Sequence, residues 1–99
     1  MKSRPVAFSP AAREDLRRVY DHIAAAGSPV NASRYVERIW GFCLGLEIAS
    51  ERGHRRDDVS PGLRVVGFEK RITIAFSVEE DSVHILRIFY GGVDWESIL

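Results

Sequence analysis

The sequence predicts an α+β fold in two layers, a helical hairpin packed on one β-sheet, in the order β-α-α-β-β-β. Three observations carry that prediction. Two Ser-Pro pairs each open a long segment with apolar residues at helical spacing. Three strand-like runs then follow one another, separated by tight turns. The 99 residues make one small domain, 1–99, with no room for a second core.

The chain opens with Val6-Ala7-Phe8, short enough for one brief strand. Ser9-Pro10 follows. A serine hydroxyl accepts an orphan amide bond at a helix start, and proline has no amide to lose at the first helical position. Ala12, Leu16, Val19, Tyr20 and Ile23 then form a helical stripe opposite Arg13, Glu14, Arg17, Arg18 and Asp21, and the helix should stop near Gly27. Ser28-Pro29 starts a second helix at once, expected to run to about Ser50. So short a connection makes the two helices an antiparallel hairpin. On the second helix Ala32, Tyr35, Val36, Ile39, Phe42, Cys43, Leu46 and Ala49 share one broad apolar face, which Trp40, Leu44 and Ile48 extend round the side. A helix so widely apolar has to be covered on more than one side.

Glu51 to Gly62 reads as a polar loop closed by a Pro-Gly turn. Leu63–Phe68 is the first strand of an antiparallel meander, and Glu69-Lys70 turns the chain. Arg71–Val78 alternates, with Ile72, Ile74, Phe76 and Val78 on one face. After Glu79-Glu80-Asp81, Val83–Tyr90 (VHILRIFY) is almost continuously apolar, as a central strand would be. Gly91-Gly92 ends it, and Asp94 can start one helical turn in the tail Val93–Leu99. The N-terminal strand joins the meander in one sheet.

Composition narrows the function. Fourteen basic residues balance fourteen acidic ones, which argues against a domain held to nucleic acid by bulk charge. One cysteine, Cys43, leaves no internal disulfide and no cysteine-based zinc cage. No apolar run is long enough to span a membrane, and MKSRPVAFSP has no signal-peptide core, so a cytoplasmic protein without cofactor or metal is expected. Cys43 reads as a small core residue. His22, His54 and His84 are scattered and form no site, and His84 reads as a satisfied sheet histidine.

The ordered set of features resembles a known family. Helical hairpin with Ser-Pro starts, polar loop ending Pro61-Gly62-Leu63-Arg64, and a last strand reading Ile85-Leu86-Arg87-Ile88-Phe89-Tyr90-Gly91-Gly92-Val93-Asp94 look like the RelE/ParE toxin superfamily, the ParE branch above all. The likeness runs from Val6 to Leu99. It implies the toxin of a type II toxin–antitoxin module, associated with plasmid stabilisation and growth inhibition. In the ParE branch, such toxins inhibit DNA gyrase by binding. In the RelE branch, they cut messenger RNA on the ribosome. In both, an antitoxin, here ParD-like, folds across the toxin in a hetero-oligomer; a third possibility is an inactive relative that serves only antitoxin binding and operon control.

The two branches place different demands on the residues. RNA cleavage needs a base, an acid and cations for the developing phosphorane, and Arg64, Arg87 and Tyr90 are the candidates. An ordinary tyrosine, with a pKa of about 10, is a poor base. The twelve arginines and two lysines are also interleaved with acids, as in Arg55-Arg56-Asp57-Asp58. Inhibition by binding needs anchors instead, and Phe89, Tyr90 and Trp95 with Arg87 nearby supply them. Trp40, Leu44 and Ile48 either line the contact with the first helix or receive an antitoxin helix. Arg64 and Arg87 interrupt apolar strands, so each either binds antitoxin carboxylates or pairs within the chain, with Asp94 or Glu96 as the nearest acids in view. No sequence-specific nucleic-acid binding by the toxin alone is expected.

Overall fold

Ser9 opens the first helix with two hydrogen bonds. In the computed structural model, which describes residues 3–99, helix α1 spans Pro10–Ala26. The Ser9 Oγ accepts from the Ala12 amide at 2.9 Å and donates to the Leu86 carbonyl at 2.7 Å, so one hydroxyl caps the helix and ties it to the sheet. Ser28 repeats the cap for α2, Pro29–Leu44, accepting from the Asn31 amide at 3.1 Å. Gly27 and Ser28 are the whole connection, and the helices pack as the expected hairpin.

The sheet has five strands in the order β1-β5-β4-β3-β2: β1 Val6–Phe8, β2 His54–Arg55, β3 Leu63–Phe68, β4 Ile72–Val78 and β5 Val83–Tyr90. β3, β4 and β5 are the antiparallel meander, and β1 joins β5 in parallel through Val6–Val83, Ala7–His84 and Phe8–Ile85. The fold class is as the sequence predicts, with three local differences. The second helix stops at Leu44 rather than Ser50, because Gly45 is a poor helix former and the chain tightens into a 3-10 turn over Gly45–Glu47. The loop after it contains β2, whose His54 and Arg55 pair with Val65 and Arg64. Gly53 permits that pairing: its φ is +76°, and a Cβ there would lie 2.1 Å from the Val65 carbonyl oxygen. The third difference is in the turn between β3 and β4, where Glu69 and Lys70 both hold positive φ, 49° and 68°. Phe68 pairs with Ile72, so Glu69–Arg71 form a three-residue loop whose left-handed residues are neither glycine nor asparagine.

A bulge explains the unbroken apolar run of β5. Ala75 pairs with Arg87 but Phe76 pairs with Ile85, so Leu86 is inserted into the ladder. Val83 and Ile85 before the bulge and Ile88 after it therefore all reach the core beneath the helices. There they meet Leu16 and Val19 of α1, Ile39 and Cys43 of α2, and Ile72, Ile74 and Phe76 of β4. Leu86 and Phe89 turn the other way, into a second cluster with Leu63, Val65, Ala75, Val59 and Trp95. The predicted two layers thus carry a small extra cover on the far face. It is made of the loop around Val59 and a short C-terminal helix α3, Trp95–Ile98, which follows Asp94 as expected.

Because Ser9 makes two bonds and Ser28 one, their truncations should differ. Ser9→Ala is expected to cost about 2 kcal/mol and Ser28→Ala about 1 kcal/mol, the upper and middle of the range for N-caps. Urea denaturation of the two variants measures the difference.

Candidate functional site

Arg87 leads to the polar centre of the molecule. Its Nε and Nη2 donate to the two carboxylate oxygens of Asp15 at 2.8 and 2.9 Å, and the Ile88 amide donates to the same carboxylate at 2.9 Å. The Asp15 side chain is 6 % exposed and that of Arg87 23 %. β1 covers β5 only as far as Ile85, so the Ile88 amide has no strand beside it, and the α1 carboxylate takes that place. The partner is therefore neither Asp94 nor Glu96, the acids nearest in sequence. Glu96 instead binds Arg56 at 3.1 Å, and the Arg56 guanidinium lies 5.1 Å from the Trp95 ring centre, fastening α3 to the far face. The bond to Asp15 raises the affinity of Arg87 for its proton, with the Coulomb attraction of the carboxylate adding to it.

Arg64 is also engaged within the chain. Its Nη2 and Nε donate to the backbone carbonyls of Glu51 and Arg52 at 2.6 and 3.2 Å, holding the segment after the 3-10 turn against β3. Tyr90 lies at the other end of the ladder. Arg64 pairs with Phe76 and Tyr90 with Ile72, four positions along β4, or about 13 Å. The structure does not bring Arg64, Arg87 and Tyr90 to one point. Arg64 stands apart on backbone carbonyls, whereas Arg87, paired with Asp15, and Tyr90, beside the rings of His22 and Tyr35 at 5.2 and 6.3 Å, line one cavity of about 270 Å³.

The C-terminal aromatics divide in the same way. Phe89 is 5 % exposed and packs with Leu63, Val65 and Ala75, so it serves the second cluster rather than the surface. Trp95 is half-buried against it, with ring centres 6.4 Å apart. Open apolar surface lies elsewhere, on α2. Trp40, Leu44 and Ile48 are 37 %, 44 % and 57 % exposed. One face of Trp40 stacks on Phe8 of β1, with ring centres 4.0 Å apart and planes nearly parallel. Beside this stripe a Cβ built on Gly41 or Gly45 meets nothing within 4 Å. The result is an apolar ridge flanked by a small-residue floor, facing outward.

The remaining candidates are structural. Cys43 is fully buried, and burial pushes its thiol up to about 12, so it is not a nucleophile. His84 is exposed rather than enclosed, and its Nε2 lies 2.8 Å from the Ser82 hydroxyl. At the tip of the hairpin a cavity of about 670 Å³ is lined by His22, Arg34, Tyr35, Arg38, Arg71 and Tyr90. Sequence reading missed Asp15, because an acid in an amphipathic helix looks solvated. The signal was there: Asp15 lies three residues after Ala12 and four before Val19, on the apolar stripe itself.

Comparison with known proteins agrees with this fold. A family model described as the ParE toxin of the type II toxin–antitoxin system, parDE, matches residues 6–95. Among solved structures, the chain is similar to the chromosomal ParDE toxin–antitoxin system from P. aeruginosa, at 26% identity and a TM-score of 0.79 over 90% of this chain and 97% of that one. It shares the fold of the RelBE toxin–antitoxin complex from Mycobacterium tuberculosis, at 19% identity and a TM-score of 0.55 over 89% and 98%. Comparison with curated proteins finds no match.

The Asp15 carboxylate predicts an asymmetric pair of variants. Asp15→Ala strands a half-buried guanidinium and an amide and should cost about 3 kcal/mol. Asp15→Asn keeps an acceptor for the Ile88 amide and should cost visibly less. Both values come from chemical denaturation at neutral pH.

Proposed function

The chain belongs to the ParE toxin family of type II toxin–antitoxin systems, and from that membership we propose that it inhibits DNA gyrase by binding, and that a ParD-like antitoxin silences it through the outer face of α2. The observation that carries the antitoxin part is the uncovered ridge of Trp40, Leu44 and Ile48 beside Gly41 and Gly45. Exposed apolar groups aligned along one helix are what an amphipathic partner helix buries, and the glycines let its backbone come close. The gyrase part is supported by the family and by how the chemistry-bearing residues are used. Arg87 and Arg64 are tied to Asp15 and to backbone carbonyls, and Arg64 lies apart from Arg87 and Tyr90. A protein acting by attachment needs shape and anchors rather than a proton shuttle.

The deciding experiment runs a gyrase supercoiling assay beside a ribosome-programmed cleavage assay on the same purified chain. Loss of supercoiling with intact messenger RNA is expected. Cut messenger RNA with normal supercoiling would reverse the assignment in favour of an endoribonuclease. An absence of any growth defect on expression would point to the inactive, antitoxin-binding relative.

The docking face makes a prediction of its own. Gly41→Ala and Gly45→Ala should each stabilise the free chain by up to about 1 kcal/mol, since both glycines face open space in helical backbone. The same changes should weaken antitoxin binding, because the added methyls stand where the partner approaches. Thermal melts and titration with the antitoxin read the two effects separately; a stabilised chain with unchanged affinity removes this face from the interface.

A further inference from the structure

The cavity at the hairpin tip is not used by either part of the proposed function. It opens where the end of α1, the start of α2, the β3–β4 turn and the end of β5 meet, and Arg34, Arg38 and Arg71 converge on it. In a chain with balanced charge this is a local excess of cations, because one acid, Glu69, lines the cavity with them. Glu69 is already engaged: its carboxylate accepts from Arg38 at 2.9 and 3.4 Å. Among the described residues no carboxylate lies within ion-pair distance of Arg34 or Arg71, so two guanidinium groups face the cavity without an anion.

The walls beside these cations are aromatic. Tyr35 and Tyr90 meet edge to face, and the His22 ring is tilted against Tyr90. The Arg38 guanidinium lies 5.2 Å from the centre of the Tyr35 ring. Burial raises the Tyr35 phenol above its ordinary range while Arg38 and Arg71 pull it back, which puts both cations within electrostatic reach of its hydroxyl. The rim is held under backbone strain, since Glu69 and Lys70 sit in the left-handed region without being glycine or asparagine. That turn keeps Glu69 on Arg38, leaving Arg34 and Arg71 as the available forks. A volume of about 670 Å³ is that of a small-molecule site.

We propose that this cavity binds a nucleotide, its phosphate held by Arg34 and Arg71 and its base laid against Tyr35 and Tyr90. Planar guanidinium forks match phosphate oxygens in pairs. A base joined to that phosphate has a ring to place on the aromatic wall, which an acidic side chain lacks. The nucleotide is either free or part of a single strand, the same chemistry serving both.

Isothermal titration of the purified chain with ATP, AMP, inorganic phosphate, a ten-residue thymidine oligonucleotide and oligoglutamate tests the assignment. Saturable binding of AMP or ATP, tighter than inorganic phosphate and falling steeply with salt, is expected. The exposed double variant Arg34→Ala/Arg71→Ala should lower that affinity at least about tenfold, while Arg55→Ala on the opposite edge of the sheet leaves it unchanged. Tighter binding of the oligonucleotide than of AMP identifies the strand as the source, and the reverse identifies the free nucleotide. No saturation at millimolar nucleotide, equal affinity in the double variant, or preference for oligoglutamate overturns the proposal.

Discussion

The architecture depends on how the open edge of β5 is closed. β1 is three residues long and stops at Phe8, level with Ile85, whereas β5 continues to Tyr90. An uncovered edge leaves backbone groups unpaired beneath a helix, which costs more than any exposed ion pair returns. The first two turns of α1 take over the role of a strand. Ser9 serves the Leu86 carbonyl, and Asp15 serves the Ile88 amide while neutralising Arg87. These bonds fix where α1 lies on the sheet, and through the two-residue connection they fix α2 as well. By contrast, pairs such as Arg17–Asp21 and Arg38–Glu69 are exposed on both sides and position side chains locally without holding layers together.

Once α1 is set at the β5 edge, the apolar girth of α2 has a simple explanation. Ile39 and Cys43 face the sheet, Phe42 tilts against Phe68 with ring centres 4.9 Å apart, and Tyr35 meets Tyr90. Trp40, Leu44 and Ile48 stay largely open to solvent, with Trp40 stacked on Phe8. On the function proposed above, that surface is where the antitoxin docks. The far face of the sheet is handled differently, being closed within the chain by Phe89, Trp95 and the Arg56–Glu96 pair.

Most of the fold was legible because its punctuation is local. Ser9-Pro10 and Ser28-Pro29 mark helix starts by chemistry that depends on no distant residue, and the alternation of Ile72, Ile74 and Phe76 marks a strand in the same way. The readings that failed concern distant partners. Nothing adjacent to Arg87 reveals that its carboxylate comes from α1, so the nearby Asp94 and Glu96 drew the assignment. The bulge at Leu86 hid which residues of β5 face the helices, and Phe89 therefore looked like a surface anchor. β2 was invisible because two polar residues carry no period. The exposure of the α2 ridge was half legible: its apolar character was plain, but whether α1 or a partner covers it depends on the helix angle that Asp15 sets.

The parallel pairing of β1 with β5 also bears on how the molecule comes into being. The first strand synthesised is matched to the last, and the hairpin between them finds its floor only when Val83–Tyr90 exists. Contacts so far apart in sequence form slowly, since a long loop has to close before any of them is gained. A partly translated chain therefore holds α1 and α2 with no sheet to rest on until Val83–Tyr90 is made.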